Sequence, residues 1–544
     1  MNIINSININ YIALFFIIGF VYFFSVLGYG ILFRKFFIKF SDNLFSITFF
    51  FGIIFLSFLQ FIIYVLYEIN SFTNLIIIIL GIIPVILKYP KFQKQYKIYS
   101  FFYLILFSLL IAVKPHDDFF HHLGSAINYF ETPFTFGLNN ISQTLGYHPI
   151  TVFLQTLSFL PIVEEKLFYL FNYTIYVAFI LFLFEICKSH KLPSDIKFVA
   201  SLLCIFFLLK FDRISEHGND LPGQIFLLLA FILFVINLKN MSNLNNFTLI
   251  IFFFIFSTAI KTTNIFFAPL LIFGFYKNLQ LNNFMIKKFI KFFIICLIST
   301  IIIFIYNFIK TGCLIPLASI SCADSDMIPW ADNIDRIKQF LVYAELDTKG
   351  YTFDGVKSLF NNEYLELKNW VPVWIKLHFF NKVTDFISLF IFLSIITLFF
   401  FRDNKFRYTL NISFNYCVIF LCSLFTLILW FFYFPQVRYF SGGVLVFLTS
   451  IYLFLLHDNI KFNLKKFNIF LLIVIFVFNV SNINRIKNEH YQYSNFNIDI
   501  PFIHFPIKKI KVLNEYKLVC RLDIECEFKK NLTLYEYKYY NIIY

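Results

Sequence analysis

Charge is scarce in this sequence. Only 14% of its 544 residues are Asp, Glu, Lys or Arg, against 59% hydrophobic ones, and the mean hydropathy is +0.76. A soluble chain of this length needs far more charge at its surface, so lipid is the solvent for most of these residues. The short motifs of soluble chemistry are lacking too. No Gly-rich nucleotide loop, HExxH or ordered Ser-His-Asp set occurs, so cytosolic nucleotide chemistry has no visible site. No CxxC is present, so the nine cysteines form no recognisable zinc-ligand set. The chain has no internal repeat, no low-complexity linker and no soluble domain of ordinary size. Its first apolar run lacks a basic leader and a small-residue cleavage site, and reads as a span, not a removable signal.

The charge that is present is informative by its placement. The net charge of +14 comes from basic residues in short clusters between apolar runs. That is the pattern of cytoplasmic membrane loops, and no nucleic-acid partner is expected. The 85 phenylalanines, with abundant Ile, Asn, Lys and Tyr, reflect in part an AT-rich genome and carry no functional weight.

Counting runs long enough for roughly 30 Å of hydrocarbon gives about fourteen. They are Tyr11–Phe33, Leu44–Tyr67, Phe72–Leu87, Tyr99–Val113, Leu167–Ile186, Phe198–Leu209, Ile225–Leu238, Phe247–Ile260, Ile265–Tyr276, Phe292–Phe308, Phe386–Phe401, Phe414–Phe434, Phe440–Leu456 and Phe467–Val480. The expected fold class is an all-α polytopic membrane protein of about fourteen transmembrane helices, with folded exterior loops and a small exterior C-terminal segment. Residues 1–113 form an N-terminal four-helix transmembrane region and 114–166 an exterior loop with an acidic motif. Residues 167–309 return to the membrane, 310–385 form an exterior loop with a cysteine pair, 386–480 are transmembrane, and 481–544 are an exterior tail.

Orientation follows from the basic clusters. Arg34, Lys35 and Lys39 follow the first run; Lys88, Lys91, Lys94 and Lys97 follow the third. Lys188, Lys191 and Lys197 follow the fifth, Lys277, Lys287, Lys288 and Lys291 the ninth, Arg402, Lys405 and Arg407 the eleventh, and Lys461, Lys465 and Lys466 the thirteenth. Basic loops after odd runs place those loops in the cytoplasm and both termini outside. Cys313 with Cys322, and Cys520 with Cys526, then fall on an oxidising face where disulfides are permitted, four free thiols being the alternative.

Ionisable residues concentrate in the segments expected outside. Lys114-Pro115-His116-Asp117-Asp118-Phe119-Phe120-His121-His122 stands where a span emerges, a position where charge is costly unless solvated, paired or used. On a helix Asp117 shares a face with His121, and Asp118 with His122. Three readings stay open: Asp117 as a general base, Asp118 and His122 as ligands of a divalent cation, or an Asp helix cap. The same loop holds Gly146-Tyr147-His148-Pro149 and an apolar stretch ending at Pro161, expected to lie at the interface. A compact loop, Phe211 to Pro222, offers Glu216, His217 and Asp220, and is also explained by turn chemistry. Lys261 and Arg438 occupy tight hairpins, either snorkelling or clamping a phosphate, and Tyr439 follows. The 310–385 loop carries an amphipathic pattern at Ile334, Ile337, Leu341 and Ala344, and Trp330, Trp370 and Trp374, read as an interfacial belt or as sugar-stacking faces.

Together these stretches resemble the GT-C glycosyltransferases, polytopic enzymes that take a sugar from a polyprenyl-phosphate carrier. The likeness rests on Asp117-Asp118 after a span, Lys261-Thr262-Thr263-Asn264 in a mid-chain hairpin, Pro435-Gln436-Val437-Arg438-Tyr439-Phe440 before a late span, and Thr311-Gly312-Cys313-Leu314-Ile315-Pro316 running on to Cys322 and Trp330. It covers roughly Tyr99 to Leu456, through short motifs. The family usually places its acidic loop after the first span; here three further spans come before it. The resemblance implies transfer of a sugar to a glycan, lipid or protein acceptor. Asp117 or Asp118, with His121 and His122, would serve as base or cation ligands, and Lys261 and Arg438 would hold the lipid phosphate. It implies a multi-pass protein of a bacterial cytoplasmic membrane with its site facing outward, membrane lipid as a partner, and no certain cofactor, a divalent cation being the one candidate. A polysaccharide polymerase, a lipid-linked glycan transporter or flippase, and a metal-dependent membrane hydrolase are the other readings.

Overall fold

The computed structural model describes residues 9–37, 44–112, 119–146, 148–210, 218–239, 244–281, 286–316, 318–351, 362–401, 413–456, 462–492, 507–513, 516–521, 534–536 and 540–543. In chain order the helices are α1 (Ile9–Phe37), α2 (Ile47–Leu66), α3 (Ser71–Ile105), α4 (Ser108–Ile111), α5 (Phe119–Glu131), α6 (Gln143–Gly146) and α7 (Val152–Thr156). Then come α8 (Leu170–Lys188), α9 (Ser194–Leu209), α10 (Asp220–Lys239), α11 (Leu244–Ile260), α12 (Ala268–Leu281) and α13 (Ile286–Thr311). The last are α14 (Ile334–Thr348), α15 (Leu367–Trp374), α16 (Thr384–Phe401), α17 (Phe414–Tyr433), α18 (Val437–Leu456) and α19 (Leu464–Gln492). A π-helix, Ile375–Val383, joins α15 to α16. Among the described residues there are also five short strands, β1 (Thr135–Phe136), β2 (Ile507–Leu513), β3 (Tyr516–Arg521), β4 (Leu534–Glu536) and β5 (Asn541–Ile543).

The protein is an all-α polytopic membrane protein: apolar runs become helices because each backbone group must be satisfied within its own segment. Among the described residues, ten helices are long and apolar enough to cross a membrane, where the apolar runs led to an expectation of about fourteen. Three of the missing runs are helical but short: α9, α11 and α12 have 16, 17 and 14 residues. The fourth is lost by fusion. Phe72–Leu87 and Tyr99–Val113 were expected as separate spans, but all of the first and the start of the second lie in the 35-residue α3. A straight helix of that length would extend about 52 Å. It is broken midway at Phe92, outside helical φ/ψ and two residues past Pro90, and Lys91, Lys94 and Lys97 beside the break are exposed. α1 crosses α3 at Gly28 and Gly81, where a Cβ on Gly28 would meet the Gly81 carbonyl oxygen at 1.7 Å.

The loops separated along the chain pack into one cap over one end of the bundle. β5 pairs in parallel with β1 and antiparallel with β4, so the end of the chain joins a sheet begun at Thr135. β2 and β3 form an antiparallel hairpin beside α5. Asn128 holds it by donating to the Lys517 carbonyl (2.8 Å) and accepting from the Lys517 amide (2.9 Å). Trp330 packs on Phe136 at 4.6 Å between centroids, and Asn140 donates to the Ile543 carbonyl (2.9 Å). Cys313 and Cys322 are joined as a disulfide with Cα atoms 3.9 Å apart. Cys526 and the side chain of Cys520 lie outside the described residues.

Two expectations for the loops need correcting. The apolar stretch before Pro161 is no interfacial segment: every residue from 148 to 160 is buried. Tyr22 of α1 donates to the Leu154 carbonyl, and Asn74 of α3 to those of Thr156 and Phe159, so the loop is a plug inserted among helices. Its backbone carbonyls thereby gain the partners that burial demands. Trp370 and Trp374 offer no open face to a sugar and form no belt, because both are buried, with Phe431 packed against each. The amphipathic pattern at Ile334 does become a helix, α14, capped by Asn333 and buried at Ile337.

Candidate functional site

Four residues far apart in sequence meet at the capped end of α10. Asp220 opens α10, Lys261 follows α11, and Arg438 and Tyr439 begin α18. The Lys261 ammonium pairs with the Asp220 carboxylate and also donates to the Arg438 carbonyl. It lies 5.4 Å from the centroid of the Tyr439 ring, and the Arg438 guanidinium carbon lies 4.9 Å from the same centroid. Arg438 donates to the Tyr439 hydroxyl (3.0 Å), while Thr263 donates to the Tyr439 carbonyl (2.8 Å). Two cations therefore share one aromatic ring beside one carboxylate, an arrangement suited to an anion that outcompetes the carboxylate.

Local sequence explains the convergence. The Lys261-Thr262-Thr263-Asn264 hairpin continues as a 3-10 turn, Thr262–Phe267, so the ninth apolar run begins as a tight turn. Asn264, 2% exposed, ties it down by donating to the Gly223 carbonyl (3.1 Å) and the Ser257 hydroxyl (2.7 Å). Gly223 is required there because a Cβ would stand 2.9 Å from the Cβ of Lys261. On the other side, Phe440 departs from helical φ/ψ and its ring stacks on Phe267 at 5.4 Å. That break turns α18 just after Tyr439.

A small apolar void lies between α10, α11 and α12, lined by Leu227, Phe231, Ile250, Phe254, Phe267 and Leu270 among others. Leu227 is seven residues, about two helical turns, below Asp220. The 310–385 segment closes the polar side. Trp374 donates to the Pro435 carbonyl (2.5 Å), and Gln436 donates to that of Asp347 (3.4 Å). The Asp347 carboxylate acts electrostatically on Tyr439 together with Asp220.

A second polar group lies where the plug loop meets α5 and α13. His122 Nδ1 and His148 Nδ1 are 3.0 Å apart, and the His148 carbonyl accepts from Tyr306 (2.9 Å) and from the buried Lys310. Lys310 also stacks 4.3 Å from the Tyr306 ring centroid. Burial first, then the neighbouring His122 and Lys310, hold the His148 imidazole well below the usual histidine range, so it stays neutral.

Of the residues singled out in the sequence, Asp220, Lys261, Arg438 and Tyr439 come together, whereas His121 and His122 belong to the second group. Asp117, Asp118, Glu216 and His217 lie outside the described residues. Among the described residues no cluster of three or more His, Cys, Asp or Glu side chains suits a metal, and the cation pairing of Asp118 with His122 lies partly outside those residues. Lys310 and Asp347 were missed. No local motif marks them, and their places depend on packing between distant segments.

A family model described as a domain of unknown function (DUF8201) matches residues 12–445, about four-fifths of the chain and all four members of the first polar group. No curated protein and no solved structure matches the chain.

Proposed function

The chain belongs to the DUF8201 family, and we propose that it is a membrane glycosyltransferase that moves a sugar from a polyprenyl-phosphate carrier to a glycan, lipid or protein acceptor. The observation that carries this reading is the stacking of Lys261 and Arg438 on Tyr439 at the end of an otherwise apolar helix, α10. A polyprenyl phosphate is an anion on a hydrocarbon tail, and in this reading the two cations hold the anion while the tail lies along the apolar helices. In substitution at the anomeric carbon, the phosphate leaves with the bonding electrons, and its charge develops beside Arg438 in a partly dehydrated setting. Asp117 and Asp118 take the roles that the GT-C resemblance offers them, base or divalent-cation ligand.

The topology proposed with it has fourteen crossings. The two arms of α3 count separately, with Lys91, Lys94 and Lys97 at the cytoplasmic elbow, and α9, α11 and α12 cross as short helices. The capped end then faces the exterior of a bacterial cytoplasmic membrane. Reporter fusions after Ser189 and after Tyr544 are expected on opposite sides; both in the cytoplasm would end this arrangement.

The decisive experiment is turnover of polyprenyl-phosphate-linked sugar by the purified protein, with lipid-linked sugars measured in a deletion strain. Accumulation of the monosaccharide-lipid on deletion, restored by wild type and not by Asp117→Asn, is the expected result. Accumulation of a longer lipid-linked glycan would point to a polymerase or flippase, and no lipid-linked species at all would overturn the reading.

A further inference from the structure

The loop closed by the Cys313–Cys322 disulfide belongs to neither polar group, and its surface is unlike that of the rest of the cap. Its tip is apolar and uncovered: Leu314, Ile315 and Ile320 are 42%, 43% and 97% exposed. From Thr311 to Ala323 the sequence carries no charged residue, and charge resumes at Asp324 and Asp326, both exposed. The backbone of the loop is turned inward. The Leu314 amide donates to the Ser321 carbonyl (3.1 Å), the Ile315 amide to the Ser321 hydroxyl (3.1 Å), and the Ser321 amide to the Ala318 carbonyl (2.8 Å). The Ala323 amide closes the base on the Gly312 carbonyl (2.9 Å), and Pro316 has no amide to satisfy. A loop in water can leave such groups to solvent; a loop against lipid must satisfy them itself.

Its position sets it against the membrane. α13 is one of the helices long and apolar enough to cross, and Ile294, Leu297, Ile298, Ile301 and Ile305 form an exposed stripe at helical spacing along it. Gly312, at φ +71°, ends that helix, its amide donating to the Phe308 carbonyl (2.8 Å). Asn307, in the last turn, then donates to the Leu314 carbonyl (3.1 Å), so the chain folds back beside the helix, close to the level of Ile305. Trp330 donates to the Phe308 carbonyl (3.2 Å) at that same level, the usual depth of an interfacial tryptophan. We propose that the Cys313–Cys322 loop is a membrane-seated knuckle, its tip of Leu314, Ile315 and Ile320 lodged where lipid headgroups meet acyl chains. The partner of this apolar face is lipid and not protein, because the face continues the stripe that a spanning helix turns to lipid and carries no charge to orient a protein. The inference stands apart from the glycosyl-transfer reading and needs only that α13 crosses.

The test uses the full chain in nanodiscs of phosphatidylcholine brominated near the headgroup end of its acyl chains, which quenches tryptophan at short range. Wild type, with its four tryptophans, gives the background. Ile320→Trp adds one at the tip, Ile305→Trp one on the α13 stripe, and Lys338→Trp one at an exposed position of α14. The added fluorescence of Ile320→Trp is expected to be lost to the brominated lipid, as that of Ile305→Trp is, and to resist acrylamide in the water, which quenches Lys338→Trp. Ile320 is almost fully exposed, so its replacement disturbs no packing, and Leu314→Trp repeats the measurement on the other arm of the loop. Quenching of both by acrylamide and not by brominated lipid would place the tip in water and overturn the proposal. Protection from both quenchers would overturn it as well, in favour of a protein partner or a second copy of the chain.

Discussion

The two ends of α10 carry the same kind of ion pair in different company. At the end away from the cap, Lys239 pairs with Asp195, and that carboxylate is 4% exposed. It is filled from all sides: the Ile196 amide donates to Oδ1 (2.9 Å), while Lys239 and the Tyr416 hydroxyl (3.2 Å) donate to Oδ2. At the capped end, Lys261 pairs with Asp220, whose side chain is 28% exposed, and a second cation and a second carboxylate stand close by. A buried pair whose carboxylate takes three donors fastens helices; a partly open pair with a second cation and a second carboxylate close by is the one to which the proposed function assigns a ligand. Composition cannot tell them apart, since each is one Asp and one Lys at helix ends.

The contrast can be broken by mutation, beginning with the largest effect. Asp195→Ala leaves Lys239 and the Tyr416 hydroxyl without their buried partner, and should cost about 3–5 kcal/mol, seen as a large drop in the melting temperature of the purified protein. A small drop would mean that this pair is no more structural than the other. Replacing Cys313 and Cys322 with serine releases the loop that they close at the capped end. A cost of roughly 2–3 kcal/mol is expected, in unfolding scans of oxidised wild type against the double variant. Equal stabilities would show that the cap holds without its crosslink.

Asp220→Asn should cost only about 1–2 kcal/mol, because its partner Lys261 keeps the Arg438 carbonyl and the Tyr439 ring. Its second consequence is tighter binding of undecaprenyl phosphate, as a carboxylate competing for the two cations is neutralised. Weaker binding would make Asp220 a positioning residue and not a competitor. The finest test is Arg438→Lys, which keeps the charge but loses the planar fork and its stack on Tyr439. Binding of the same lipid should weaken about tenfold, or about 1.4 kcal/mol, while melting is unchanged. Wild-type affinity in this variant would reduce Arg438 to an anchor at the membrane surface.

Much of this site was legible residue by residue. Lys261 and Arg438 drew notice because a cation in a tight hairpin between apolar runs has few places to go, and Asp220 because a polar loop preceded Pro222. What stayed hidden was their pairing: Asp220 with Lys261, where either one had been read alone as a ligand-binding residue. Lys310 was passed over for a similar reason: a lysine at the end of an apolar run has no signature until the His148 carbonyl is brought to it.

By itself the sequence determined that the chain is helical and lipid-solvated, because 14% charge cannot cover a soluble surface and every apolar run must satisfy its own backbone. It also located the polar segments, since ionisable residues are expelled from hydrocarbon wherever they fall. The tertiary structure alone decided which of them meet. Lys261 reaches the Arg438 carbonyl across 177 residues, and β5 pairs with β1 across some 400. Such contacts depend on how helices cross, at Gly28 or Gly223, and crossing is set by side-chain packing from several distant segments at once. Hydrophobic pattern is local and readable along a line; packing is shared among neighbours that the line does not name.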